Sequence, residues 1–142
     1  MTSLAVTPGR AARAEEIAQA EDIPQPILSK VLQDLVRKGL LESRRGPGGG
    51  FSLSRRPELI TLRDVVAAID GLDQFYTCVT GLSACSDEAP CPLHEMWKEM
   101  RTSLMKSFET TPLSDMARAI IQKRKSLARE KQRARGRSKT AQ

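Results

Sequence analysis

The three cysteines of this chain and its only histidine fall within one stretch of seventeen residues, as Cys78, Cys85, Cys91 and His94. Six residues separate the first two cysteines, five separate the second pair, and two lie between Cys91 and His94. Thiolates are soft ligands, suited to iron–sulfur clusters, Zn or Cu(I). Structural zinc sites usually space their cysteine pairs about two to four residues apart. Gaps of six and five make a wide, irregular loop that fits a cluster better than a single ion. Three thiolates leave one coordination position, which His94 would fill from the start of a helix. An imidazole ligand raises the reduction potential and can leave by protonation. The competing fourth ligands are Asp87, Glu88, Glu95 or a residue of a partner subunit. The alternative is three free cysteines beside a surface histidine.

The rest of the chain must position this stretch. At 142 residues it is one domain, or one domain with a tail. Hydrophobic residues make up 39% and aromatics 4%, so the core is modest and a dimer would add burial. No apolar run approaches the ~20 residues of a membrane span, and no signal peptide opens the chain. A cytoplasmic, reducing location is expected, where clustered cysteines serve metal or redox chemistry better than disulfides. The net charge of +6 is unevenly placed. From Arg118 onward there are ten Lys/Arg and one acid; residues 1–117 hold thirteen Lys/Arg against sixteen acids. A case for DNA binding therefore rests on particular residues of the front half. No nucleophile–base pair or carboxylate pair stands out, so no enzyme is expected.

Residues 1–13 are weakly patterned, with a turn at Pro8-Gly9. A short helix over 14–20 turns Ile17 and Ala18 inward. A second, over about 25–38, carries Ile27, Leu28, Val31, Leu32, Leu35 and Val36 at helical spacing and stops at Gly39. Two helices joined by a tight turn read as a helix-turn-helix. The face opposite the apolar one carries Gln25, Ser29, Lys30 and Gln33: Gln25 and Ser29 suit base edges, Lys30 a guanine or a phosphate, and Arg37 and Lys38 suit phosphates. Leu40–Arg45 and Phe51–Arg55 read as strands around the Gly46-Pro-Gly-Gly-Gly50 tip, a β-wing in which Arg44, Arg45 and Gly48 can approach a minor groove. Thr61-Leu-Arg-Asp64 is a capping box opening a helix with Leu62, Val65, Val66 and Ile69, which ends at Gly71. After the cysteine loop, a helix from about Pro92 to Phe108 carries the stripe Leu93, Met96, Trp97, Met100, Leu104 and Phe108. Thr111 caps a last helix with Pro112 at its first position. Residues 123–142 read as a frayed helix or disorder, which either adds salt-sensitive DNA affinity or only solubilises the chain.

This order of elements resembles the IscR/NsrR family of winged-helix regulators. The resemblance is carried by Glu16-Ile17-Ala18, Leu32 to Leu40 with Gly39, Arg45-Gly-Pro-Gly-Gly-Gly-Phe51, Leu53, Ile60-Thr-Leu62, Gly71, and the cysteine loop with Trp97 after it, and it spans roughly residues 14–120. It implies a homodimer on a palindromic operator in double-stranded DNA, with the Leu93–Phe108 stripe as the dimer interface. It also implies an iron–sulfur cluster, 2Fe–2S or 4Fe–4S, that senses cluster supply, nitric oxide or oxidants. Some relatives take a carboxylate ligand from near the partner's N-terminus; residues 1–14 here contain no acid, which favours His94. The chain departs from the pattern in its short first helix, in Pro24, Pro26 and Ile27 where the recognition helix usually opens with Ser and Tyr, and in its basic tail.

The expected architecture is mainly α with a small β-wing: a winged helix-turn-helix head over 1–71, a cluster loop over 72–94, dimerisation helices over 92–122 and a tail over 123–142. The expected function is a DNA-binding transcriptional regulator, in the sense of a repressor, set by its cluster. Two alternatives stand beside it: a shortened, cluster-binding dimerisation partner without its own DNA binding, and a regulator using Zn or a thiol switch.

Overall fold

A computed structural model describes residues 1–82 and 85–130 in full and the helical path of 131–139. Six α-helices and one two-stranded sheet make up these residues: α1 (Thr2–Val6), α2 (Ala14–Glu21), α3 (Gln25–Arg37), β1 (Leu41–Arg44), β2 (Gly50–Leu53), α4 (Leu62–Ile69), α5 (His94–Thr110) and α6 (Leu113–Lys139). Short 3₁₀ turns lie at Pro57–Leu59 and Asp73–Phe75.

The helix-turn-helix is built as its pattern requires. Leu28, Leu32 and Leu35, at i, i+4 and i+7 of α3, are buried against Ile17 and Ala18 of α2. Asp22 ends α2 in the left-handed conformation (φ 54°). At the other end of α3, Leu40 N–H donates to Leu35 O (2.9 Å) and Gly39 N–H to Val36 O (3.0 Å), a Schellman closure that needs the positive φ of Gly39 (73°). That closure aims the chain into β1. The sheet pairs Leu41 with Leu53 and Arg44 with Gly50, antiparallel. Ala12 adds a third rung: its N–H donates to Phe51 O (2.9 Å) and its O accepts from Phe51 N–H (2.8 Å). The wing is thus tied to the segment before α2.

Leu113 and Ala117 of α6 join Leu4, Ala5, Ile17, Leu32, Leu41 and the fully enclosed Ile60 in one core. The starts of α4 and α6 lie side by side, with Leu62 N–H on Thr111 O (3.0 Å) and Leu113 N–H on Ile60 O (2.7 Å). The capping box of α4 forms: Thr61 N–H donates to Asp64 Oδ2 (3.1 Å) and Asp64 N–H to Thr61 Oγ1 (3.2 Å).

Several sequence expectations are corrected. Residues 2–6 are helical and bury Leu4 and Ala5, because α6 returns to cover them. Ile27 is 61% exposed, since the inward face of α3 is centred on Leu28, Leu32 and Leu35. Helix α5 starts at His94, after a turn in which His94 N–H donates to Cys91 O (2.9 Å). Pro112 precedes α6 and bridges to Thr61. The apolar side at the start of α6, grouped with the dimerisation helices, is used inside the head. Residues 123–139, read from sequence as a frayed helix or disorder, continue α6. Ala, Lys, Arg, Gln, Leu and Glu are strong helix formers, and the packed first half of α6 supplies the nucleus that an isolated segment lacks.

Candidate cluster site and nucleic-acid interface

The segment after α4 is fastened to α5 before the cysteines begin. Phe75 packs edge-to-face on Phe108, with ring centroids 5.9 Å apart. The Arg101 guanidinium lies over the Tyr76 ring at 5.4 Å, and Trp97 Nε1 donates to Thr77 O (3.1 Å). Cys78 follows directly and is buried. Its sulfur lies 3.0 Å from Thr80 Oγ1. This hydroxyl, then the Thr80 N–H, lower its pKa against the effect of burial, with smaller help from the Leu82 N–H and the Cys85 thiol. Hydrogen-bond donors converging on a sulfur are what a cluster thiolate uses to tune its potential. The loop's Ser83 and Ala84, and residues 140–142 of the expected tail, lie outside the described residues.

Cys85 and His94 meet: Sγ is 3.2 Å from Nδ1. His94, the first residue of α5, is 5% exposed, so the surface histidine of the alternative reading is excluded. Its Nε2 lies 2.8 Å from Asp87 Oδ1, and the same oxygen accepts from Lys98 Nζ at 2.7 Å. Lys98 first, then His94, hold the Asp87 carboxyl at about 2, and Asp87 in turn raises the Lys98 pKa. The ionised carboxylate only accepts, so Nε2 donates to it, which leaves Nδ1 on the side of Cys85. Burial, and then the charge of Cys78, raise the Cys85 pKa, with Cys91 adding to the effect. The Arg101 charge acts in the opposite direction. All three cysteines are free thiols.

Asp87, His94 and Glu95 also bring ligand atoms within 4.8 Å of one another. That trio suits a metal ion poorly, because the Lys98 ammonium already occupies the Asp87 oxygen and would repel a dication. Of the four donors expected from sequence, Cys85 Sγ and His94 Nδ1 are in direct contact. Asp87, weighed from sequence as a fourth ligand, accepts a hydrogen bond from His94 Nε2. Neither this role nor that of Thr80 or Lys98 was read from sequence; the pairing of Asp87 with Lys98 closes across eleven residues, beyond any periodic signal.

On α3, Gln25, Lys30 and Gln33 are exposed and Ser29 is half-buried. Arg37 is paired with Asp34. On the wing, Arg44 lies 3.6 Å from Glu42, while Arg45 and Gly48 are exposed at the tip. Ile27 and the 39% exposed Ile23 extend the polar face with apolar groups that sequence reading assigned to the core or passed over. Contact with a thymine methyl is the chemistry such side chains offer in a major groove.

The α5 stripe divides. Leu93, Met96, Met100 and Leu104 are 38–55% exposed, whereas Trp97 and Phe108 are engaged with the preceding segment and Met105 is buried.

Residues 1–119 match the Rrf2 family, described as "Iron-dependent Transcriptional regulator". The chain is 34% identical over 115 residues, 80% of each protein, to an HTH-type transcriptional regulator of Aquifex aeolicus (strain VF5). It is 33% identical over 131 residues to the HTH-type regulator BadM of Rhodopseudomonas palustris (strain ATCC BAA-98 / CGA009), covering 89% of this chain and 79% of that one. Among solved structures it resembles CymR, the global cysteine regulator of B. subtilis, at TM-score 0.68 and 26% identity over 83% of this chain and 87% of that one. It shares the fold of T. potens IscR at TM-score 0.64 and 24% identity, over 84% and 78% of the two chains. Relatives of this kind are named as transcriptional regulators and not as enzymes, and among the described residues no helix is long and apolar enough to cross a membrane. The chain belongs to the Rrf2 family of winged-helix transcriptional regulators.

Proposed function

We propose that the protein is a cytoplasmic, homodimeric regulator that binds a palindromic operator and carries an iron–sulfur cluster on Cys78, Cys85, Cys91 and His94. The observation that carries this reading is the buried His94 imidazole, 3.2 Å from the Cys85 sulfur and held from behind by Asp87. When bound, the cluster supplies redox and nitrosative sensitivity, the chemistry of an iron–sulfide core. The protein's own residues supply the link to DNA. Thr77, Tyr76 and Phe75 tie the start of the loop to α5, and His94 begins α5. A change in the loop therefore acts on the helix whose exposed Leu93, Met96, Met100 and Leu104 would meet the same residues of a second copy. Re-setting that interface changes the distance between the two recognition helices, and half-sites one helical turn apart are sensitive to it.

On each head, Gln25, Ser29, Lys30 and Gln33 read bases, Arg45 enters the minor groove beside Gly48, and Arg44 and Arg37 serve phosphates. The core closed by Leu4 and Ala5 favours a head that binds DNA itself over a partner lacking that ability. The raised Cys85 pKa disfavours Cys85 itself as a reactive thiolate. The test is operator binding by cluster-loaded and cluster-stripped protein, with a sequence selected by the protein from random duplexes. Affinities differing by about tenfold, worth ~1.4 kcal/mol of coupling, are expected; equal affinities would contradict the coupling.

A further inference from the structure

The second half of α6 has no place in the site just described. Leu113 and Ala117 are in the core, yet from Gln122 to Glu130 every residue is exposed. From Lys123 to Lys139 the sequence carries nine Lys/Arg and one acid. From Lys125 to Lys139 the basic residues recur at i, i+4, a spacing at which like charges repel on a helix. The segment holds its conformation against this repulsion with no apolar face to bury; Leu127 is 56% exposed. A segment with this excess of cations is complementary to a polyanion.

Its location selects the polyanion. Arg124 Nη2 donates to Glu21 Oε1 at 3.3 Å, and Glu21 is the last residue of α2, four before the recognition helix begins. The helix therefore passes the turn of the helix-turn-helix and continues for fifteen residues to Lys139. At 1.5 Å rise per residue that is about 22 Å, more than half a helical turn of duplex.

We infer that the basic extension of α6 binds the phosphate backbone of duplex DNA flanking each half-site. This inference rests on the head binding DNA. Arg124 fixes the direction in which the extension leaves the head, and the exposed Lys123, Lys125 and Arg129 are its first phosphate ligands. No base is read by it; the extension sets affinity and salt response, while α3 and the wing set sequence.

The experiment compares two duplexes bound by the full 142-residue chain. One holds only the selected palindrome, and the other adds about ten base pairs of unrelated sequence at each end. The longer duplex is expected to bind about tenfold more tightly near 0.1 M salt, with a steeper loss of affinity as salt rises. Replacing Lys123, Lys125 and Arg129 together by Gln, a good helix former, should remove most of that advantage. The salt slope should fall by about 0.9 for each phosphate no longer neutralised, with binding to the short duplex unchanged. Arg118→Gln, on the packed half of α6 and paired with Asp115, should change neither. An equal response of wild type and triple variant to duplex length and salt overturns the inference. So does a charge-dependent affinity for phosphatidylglycerol vesicles without one for flanking DNA. If wild type fails on the short duplex as well, it is the DNA-binding reading of the head that has failed.

Discussion

A methyl group at Gly50 is the smallest change that tests how the wing is held. A Cβ there would sit 2.5 Å from Ala12 O and 2.7 Å from Ala12 C, both backbone atoms, on a residue whose φ is 144°. No side-chain rotation relieves that overlap. The wing must leave Ala12 and give up both Ala12–Phe51 hydrogen bonds, of 2.9 and 2.8 Å, worth about 0.5–1.5 kcal/mol each. Backbone strain that remains adds ~1 kcal/mol. Gly50→Ala should therefore cost about 2–4 kcal/mol. Gly48→Ala is the control: its φ is also positive (76°), but nothing lies within 4 Å of its Cβ position, so only the left-handed penalty of about 1 kcal/mol applies. For a chain of this size each kcal/mol lowers Tm by roughly 4 °C. Thermal unfolding followed by circular dichroism under reducing conditions should thus separate the two variants by about 4–12 °C. A Gly50→Ala protein no less stable than Gly48→Ala would show that the Ala12 rung does not position the wing.

The other predictions address the core, the dimer and the histidine. Leu113→Ala, at a position 1% exposed in the shared core, should cost about 3 kcal/mol; a cost below 1 kcal/mol would mean that α6 is not part of the head. Met100→Glu places a charge in the exposed α5 stripe, where Met100 is 55% exposed. Light scattering should find this variant monomeric with its helix content unchanged, and a persistent dimer would place the interface elsewhere. Asp87→Ala removes the partner of His94 Nε2, and loss of such a supporting group costs metal sites about 10–100-fold in affinity. Bleaching of the cluster by a chelator should accelerate by at least about tenfold; unchanged kinetics would deny Asp87 this role.

The helix-turn-helix, the wing and the α4 capping box were legible because each has a local signature: i, i+4 leucines, a glycine where φ must be positive, and a Thr-x-x-Asp spacing. Helix α1 was not, because a five-residue helix cannot sustain itself and forms only where α6, more than a hundred residues later, covers it. The inward-looking spacing of Ile27 misled for a related reason: periodicity gives the direction of a face but not its width, and the core ends at Leu28. In the candidate site, residue types and spacing singled out Cys85 and His94, which the fold brings into contact. Which groups turn the imidazole was not readable, since Asp87 and Lys98 meet it only once the loop folds back on α5. The helical extension beyond residue 122 was hidden by its charge, which argues for repulsion and masks strong helix propensity.

The proposed iron–sulfur cluster on Cys78, Cys85, Cys91 and His94 is tested by anaerobic purification with visible absorption and assay of iron and acid-labile sulfide, for the wild type and for Cys85→Ala. A coloured wild type with iron and sulfide in near-equal amounts is expected, and a variant that has lost them. A colourless protein holding zinc or no metal, or a Cys85→Ala variant with full cluster content, would contradict it.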